Sequence, residues 1–178
     1  MPLSLHLSIH LFFALLAGLI IWLIYKKPFL SFLGGILGGF IIDFDHFIDY
    51  FLVFGFKFKY EYFSNGYQFL KSDKMYVLAH GWEYVIILLI LALILSNKKS
   101  KTNTTIRTTR AFRTFILALA LGALFHLATD VVINDGMTAK TYSIIFRAKN
   151  NFQTEKIVTP EHWKTHNLKK NEIDLNSL

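Results

Sequence analysis

Hydrophobic residues fall in four long runs separated by polar punctuation: Leu7 to Tyr25, Phe29 to Phe54, Met75 to Leu95 and Ala111 to Ile133. A bilayer-crossing helix needs about 20 apolar residues. The pattern therefore predicts an all-α protein, an integral membrane bundle of four transmembrane helices with both termini on one side. Lys26-Lys27-Pro28 closes the first run, where a proline resists helix continuation. Gly34, Gly35, Gly38 and Gly39 stripe the second run, and Ala118, Gly122 and Ala123 the fourth. Such small-residue faces let helices approach closely. Asn134-Asp135-Gly136 marks the turn after the fourth run. The predicted division is a four-helix membrane domain over 1–136 and a short polar C-terminal tail over 137–178, partly helical. In that tail Thr159 and Pro160 suit the N-cap and first position of a helix. Lys57 to Lys74 is polar and aromatic and reads as a loop or interfacial segment.

Composition sharpens this. The 178-residue chain is 53% hydrophobic, too greasy for an ordinary soluble domain. It has no cysteine, which excludes thiolate ligands, disulfides and a cysteine nucleophile. The net charge of +7 is uneven: Ser96 to Arg110 holds Lys98, Lys99, Lys101, Arg107 and Arg110 and no acid. A basic run that joins two spans reads as a topology signal, so no nucleic-acid partner is expected. The linker is expected to face the cytoplasm, in a multi-pass protein of the bacterial inner-membrane type.

Ionisable residues interrupt the greasy runs. His10 begins the first, Asp43, Asp45, His46 and Asp49 sit in the second, His80 and Glu83 open the third, and His126 and Asp130 close the fourth. Each such residue costs about 2.5–3.5 kcal/mol at a helix centre, and persists mostly where it faces a partner, a cavity or a metal. In a bundle whose helices alternate direction, all of them fall toward the same membrane face. His126 and Asp130 are spaced to share a helix face. Asp43 and Asp45 lie about 200° apart on a regular helix. Either the helix unwinds near Ile42 or one aspartate stands behind the other ligands.

Imidazoles and carboxylates without thiolates suit a divalent metal, zinc first, with manganese or iron as alternatives. The candidate ligands are His10, Asp43, Asp45, His80, His126 and Asp130, with His6 in reserve. Glu83 is the candidate general base, because it need not ligate. His162 and His166 read as a solvated helix face.

At these residues the chain resembles the YdjM-like family of membrane-bound metal-dependent hydrolases. The resemblance rests on His10 in His-Leu-Phe-Phe, Asp43-Phe44-Asp45-His46 after the glycine-rich helix, His80 in Ala-His-Gly-Trp-Glu, and His126-Leu-Ala-Thr-Asp130. It spans roughly residues 5 to 150. Ile42 stands where the family box has proline, and Ala79-His80-Gly81-Trp82-Glu83 replaces the usual Arg-Gly-x-x-His-Ser pattern. The resemblance implies a metal-dependent hydrolase. Residues at leaflet depth then suggest an amphiphilic substrate, a membrane lipid or lipid-linked ester or phosphoester. The alternatives are a non-enzymatic metal-binding membrane scaffold and an ion- or proton-coupled transporter. A transporter would want polar residues continuing to the opposite face, where helices one, three and four are apolar.

Overall fold

A computed structural model describes residues 3–97 and 103–173. The fold is all-helical, with 78% of the described residues in helix. Among the described residues the only β-pairing is one antiparallel bridge, Lys74 to Gln153. The chain forms two compact units that interleave along the sequence, 1–42 with 81–129, and 43–80 with 130–178. The residues expected as a separate tail thus belong to the same unit as the segment 43–80.

The first unit holds α1 (Leu3–Tyr25), α2 (Pro28–Gly39), α6 (Trp82–Asn97) and most of α7 (Asn103–Ile133). Lys26 leaves α1 with a positive φ of 56°, and Pro28 starts α2 at a position that needs no amide donor. The glycines of α2 face two ways. A Cβ on Gly35 would lie 2.5 Å from the Ala14 carbonyl of α1, and one on Gly38 would lie 2.1 Å from the Leu119 carbonyl of α7. Backbones that close leave no room for a methyl group. Ala14, Ala17, Ala118 and Ala120 complete the tight core.

Among the described residues, only α1 and α7 are long and apolar enough to cross a membrane. At about 1.5 Å per residue, helices the length of α2 and α6 reach roughly 18 and 24 Å, short of a hydrocarbon core of about 30 Å. The helix expected over Phe29–Phe54 is not continuous. It stops at Gly39, because paired glycines are poor helix formers, and a 3-10 turn over Ile41–Asp45 follows. The third run likewise starts its helix at Trp82, not Met75. The start of the basic linker, including Lys98, Lys99 and Lys101, lies outside the described residues.

The second unit holds α3 (His46–Phe54), α4 (Tyr60–Ser64), α5 (Tyr67–Ser72), the last turn of α7, α8 (Ile144–Lys149), α9 (Thr154–Ile157) and α10 (Pro160–Glu172). Its apolar centre is Met75, Val77 and Ile157, covered by Phe69, Met137, Phe146 and Val158. The Thr159 side chain caps α10 by accepting from the His162 amide, as the sequence predicts. Gly136 adopts a φ of 76°, and a Cβ there would lie 2.2 Å from His162. Only glycine suits both the turn and the packing. His166 is not on a solvated face. It is buried and bonds Asp73 at 2.9 Å, and Lys170 pairs with the other oxygen of the same carboxylate. Burial opposes ionisation of Asp73, but the hydrogen bonds from Lys170 and His166 overcome it and hold the carboxyl below its ordinary value.

Candidate metal centre

In the second unit the chemistry gathers around His80. This residue precedes α6 and sits in no helix, yet it is 1% exposed. Its Nδ1 faces the Asp45 carboxylate at 3.0 Å, and the same Asp45 oxygen accepts from the Ala79 amide at 2.7 Å. Asp45 thus orients the ring and leaves Nε2 to face the other carboxylates, Asp43 at 3.4 Å and Asp130 at 3.6 Å. Burial alone would lower the His80 pKa. The bonds to Asp43 and Asp45 and the charges of Asp45 and Asp130 outweigh burial and push it up to about 10. These carboxylates therefore favour a positive charge at Nε2.

The 3-10 turn explains how Asp43 and Asp45 serve different ends. With three residues per turn, side chains at i and i+3 eclipse. Asp43 and His46 therefore stand together, with His46 Nε2 3.6 Å from Asp43 Oδ1. Asp45, two residues on, turns behind His80. Ligand atoms of Asp43, His46 and His80 all lie within 4.8 Å of one another. Metal bonds near 2.0–2.2 Å place tetrahedral neighbours about 3.4 Å apart. The separations of 3.4 and 3.6 Å from Asp43 to the two imidazoles match that edge. Buried His and Asp groups here can hold a metal ion. Asp130 is steadied from behind, since the Asn134 amide donates to its Oδ1 and to the Tyr142 hydroxyl, both at 3.0 Å.

The first unit gathers imidazoles. His10 and His126 are both wholly buried and stack with ring centroids 4.0 Å apart. His126 Nδ1 donates to the Gly39 carbonyl at 3.1 Å. His6 and His10 share a hydrogen bond between their Nε2 atoms at 2.9 Å.

Of the expected ligands, His10 and His126 meet in one unit, and Asp43, Asp45 and Asp130 surround the His80 imidazole in the other. Glu83 lies in the first turn of α6, half-buried, and shares no helical face with His80 because α6 starts after it. Sequence reasoning left His46 out of the ligand set, although the eclipsed spacing from Asp43 was a usable signal. It missed Asn134, Tyr142 and Arg147 altogether. Arg147 is a fully buried arginine that donates to three backbone carbonyls, Thr141, Val77 and His80, at 2.7, 2.9 and 2.8 Å.

No family model, no curated protein and no solved structure matches the chain.

Proposed function

We propose that this protein is a membrane-embedded metal-dependent hydrolase of the YdjM-like kind, acting on an amphiphilic ester or phosphoester. One observation carries the reading: Asp43, His46 and His80 present ligand atoms within 4.8 Å of one another, with spacing that suits a tetrahedral divalent ion. Zinc fits this donor set best, and manganese or iron are the alternatives. Two imidazoles and one carboxylate are three ligands, the pattern of a catalytic site that keeps a fourth position open, whereas a structural site is closed by four. His46 is 31% exposed, which supports an approach for substrate on that side. A bound divalent ion would supply Lewis acidity and lower the pKa of water. Asp45 holds the His80 tautomer, and Asn134 holds Asp130. Glu83 is the proposed proton acceptor. His10 and His126 are proposed as ligands in their own right, with the Gly39 carbonyl fixing the His126 tautomer.

The membrane assignment rests on α1 and α7 and on the apolar residues that α1 and α6 turn outward, among them Phe12, Leu23, Ile24, Ile86, Ile90 and Leu93. We propose four passes, α1, α2, α6 and α7, in a cell membrane, with the basic linker cytoplasmic. The test is elemental analysis of the purified chain in detergent, paired with hydrolysis assays on lipid esters and phosphoesters. Wild type should retain a divalent metal, and His80→Ala should lose it while keeping its helical circular dichroism. Glu83→Gln should keep the metal and lose turnover. A wild type that retains no metal after exposure to zinc, manganese and iron refutes the reading.

A further inference from the structure

We infer that Arg147 is a positioning residue for His80: its guanidinium fixes the backbone turn that aims this imidazole at the carboxylates. The inference rests on the metal reading above but concerns a residue that reading does not use.

His80 has no helix to hold it. Its position depends on the turn Val77–His80, closed by the His80 amide donating to the Val77 carbonyl at 2.9 Å. This turn is strained. Val77 has a φ of 34°, in the left-handed region, where a β-branched side chain is disfavoured. Such a conformation persists only where its surroundings over-determine it. Here they do, from two directions. On one side Asp49 Oδ2 accepts from the amides of Tyr76 and Val77 at 3.2 and 3.1 Å, and Asp45 accepts from the Ala79 amide. On the other side one nitrogen of Arg147, Nη2, donates to the carbonyls of both Val77 and His80. Nη1 anchors the same guanidinium on the Thr141 carbonyl, just before α8.

The planar fork matters. Arginine presents several donors in fixed geometry, and a lysine ammonium is a single flexible point. The fork ties both ends of the turn, residues 77 and 80, to one rigid group. Without it, the strained Val77 has less to hold it, and the carbonyls of Thr141, Val77 and His80 each lose a charged donor. The His80 ring then keeps its partner Asp45 but loses a fixed origin. Through these carbonyls Arg147 acts on metal binding by way of the His80 backbone. Outer residues of this kind typically change metal affinity by about 10–100-fold.

The experiment titrates cobalt(II) into the full-length, metal-stripped chain in detergent and follows affinity and the visible absorption of the ion, which reports coordination geometry. Wild type should bind and give intense tetrahedral bands. Arg147→Lys and Arg147→Ala should bind about 10–100-fold more weakly, with weaker and shifted bands. Added guanidinium ion, at concentrations that leave wild type unchanged, should restore affinity and bands to Arg147→Ala. Wild-type affinity and bands in either variant overturn the proposal. So does weakened binding that guanidinium does not restore, or loss of helical circular dichroism in both variants, because each makes Arg147 a general core residue. Failure of wild type to bind cobalt sinks the metal reading instead.

Discussion

Asp45 shows how one carboxylate can matter to a metal without touching it. Its Oδ2 serves both the His80 ring and the Ala79 amide, while Oδ1 is buried with no hydrogen-bond partner among the described residues. Removing the side chain should leave the ligand atoms of Asp43 and His46 in place but free the His80 ring to rotate. Asp45→Ala should therefore weaken zinc binding by about 10–100-fold and cost stability of about 1–3 kcal/mol for the orphaned donors. Competition titration with a chromophoric chelator measures the first, and denaturant unfolding the second. Unchanged zinc affinity would show that Asp45 does not orient His80. The sequence already poses the choice between Asp43 and Asp45, because a regular helix cannot aim both inward. What resolves it is the 3-10 turn, whose tighter winding also brings His46 beside Asp43. Arg147 was not legible in the same way. The turn it holds is gripped through backbone carbonyls, which carry no residue identity, so no motif announces them.

At the scale of elements, the C-terminal helix α10 illustrates both what periodicity captures and what it omits. Its start is written locally, in Thr159 and Pro160, and the structure agrees. Its docking is not, because Asp73 lies 93 residues before His166. His166, which looks solvated by spacing, is instead drawn in by a distant acid. This docking should depend on pH with a definite sign. The Asp73 carboxyl is held below its ordinary value by Lys170 and His166, against the pull of burial. Its contribution to stability is thus fully present above the ordinary value of 3.8 and is lost as pH falls through the lower folded value. Trp163 stacks on His166 with centroids 4.8 Å apart and reports the contact. With Trp22 and Trp82 changed to phenylalanine, its fluorescence should show a transition in acid below the ordinary carboxylate value. Asp73→Asn should remove the acid transition and release α10 partly at pH 7. An acid transition that survives in Asp73→Asn would assign it to another carboxylate. The helix expected over Phe29–Phe54 failed for a different reason. Hydropathy continues through Asp43 to Phe54, so a hydrophobic window does not see the break that the glycines introduce after Gly39.

At the scale of the molecule, the way the second unit is assembled constrains the route of the chain. Residues 43–80 and 130–178 form one compact body, tied by the Lys74–Gln153 bridge, by Arg147 on the Val77 and His80 carbonyls, and by His166 on Asp73. Both segments must then lie on the same side of any membrane. If α7 crosses, its N-terminal end lies on the opposite side from residue 130. The chain must reach that end from residue 80, and α6 is the only helix between them among the described residues. In the proposed topology α6 then crosses as well, despite being only 16 residues long. Local thinning and flanking polar residues absorb a mismatch of this kind at fractions of a kcal/mol per Å. In the proposed four-pass topology α1 and α2 cross in the same way, and Lys26 and Lys27 share the side of the α7 N-terminus, which the positive-inside rule would make cytoplasmic. The chain has no cysteine, so single cysteines can report this directly. Asn65→Cys and Lys164→Cys should react with an impermeant maleimide added outside intact cells, whereas Lys27→Cys and Thr105→Cys should react only after the membrane is opened. Asn65 and Thr105 labelling together, with Lys164 on the other side, would mean that only α7 crosses between them. The second unit could not then hold together, and with it the grouping of Asp43, His46, His80 and Asp130 would fall.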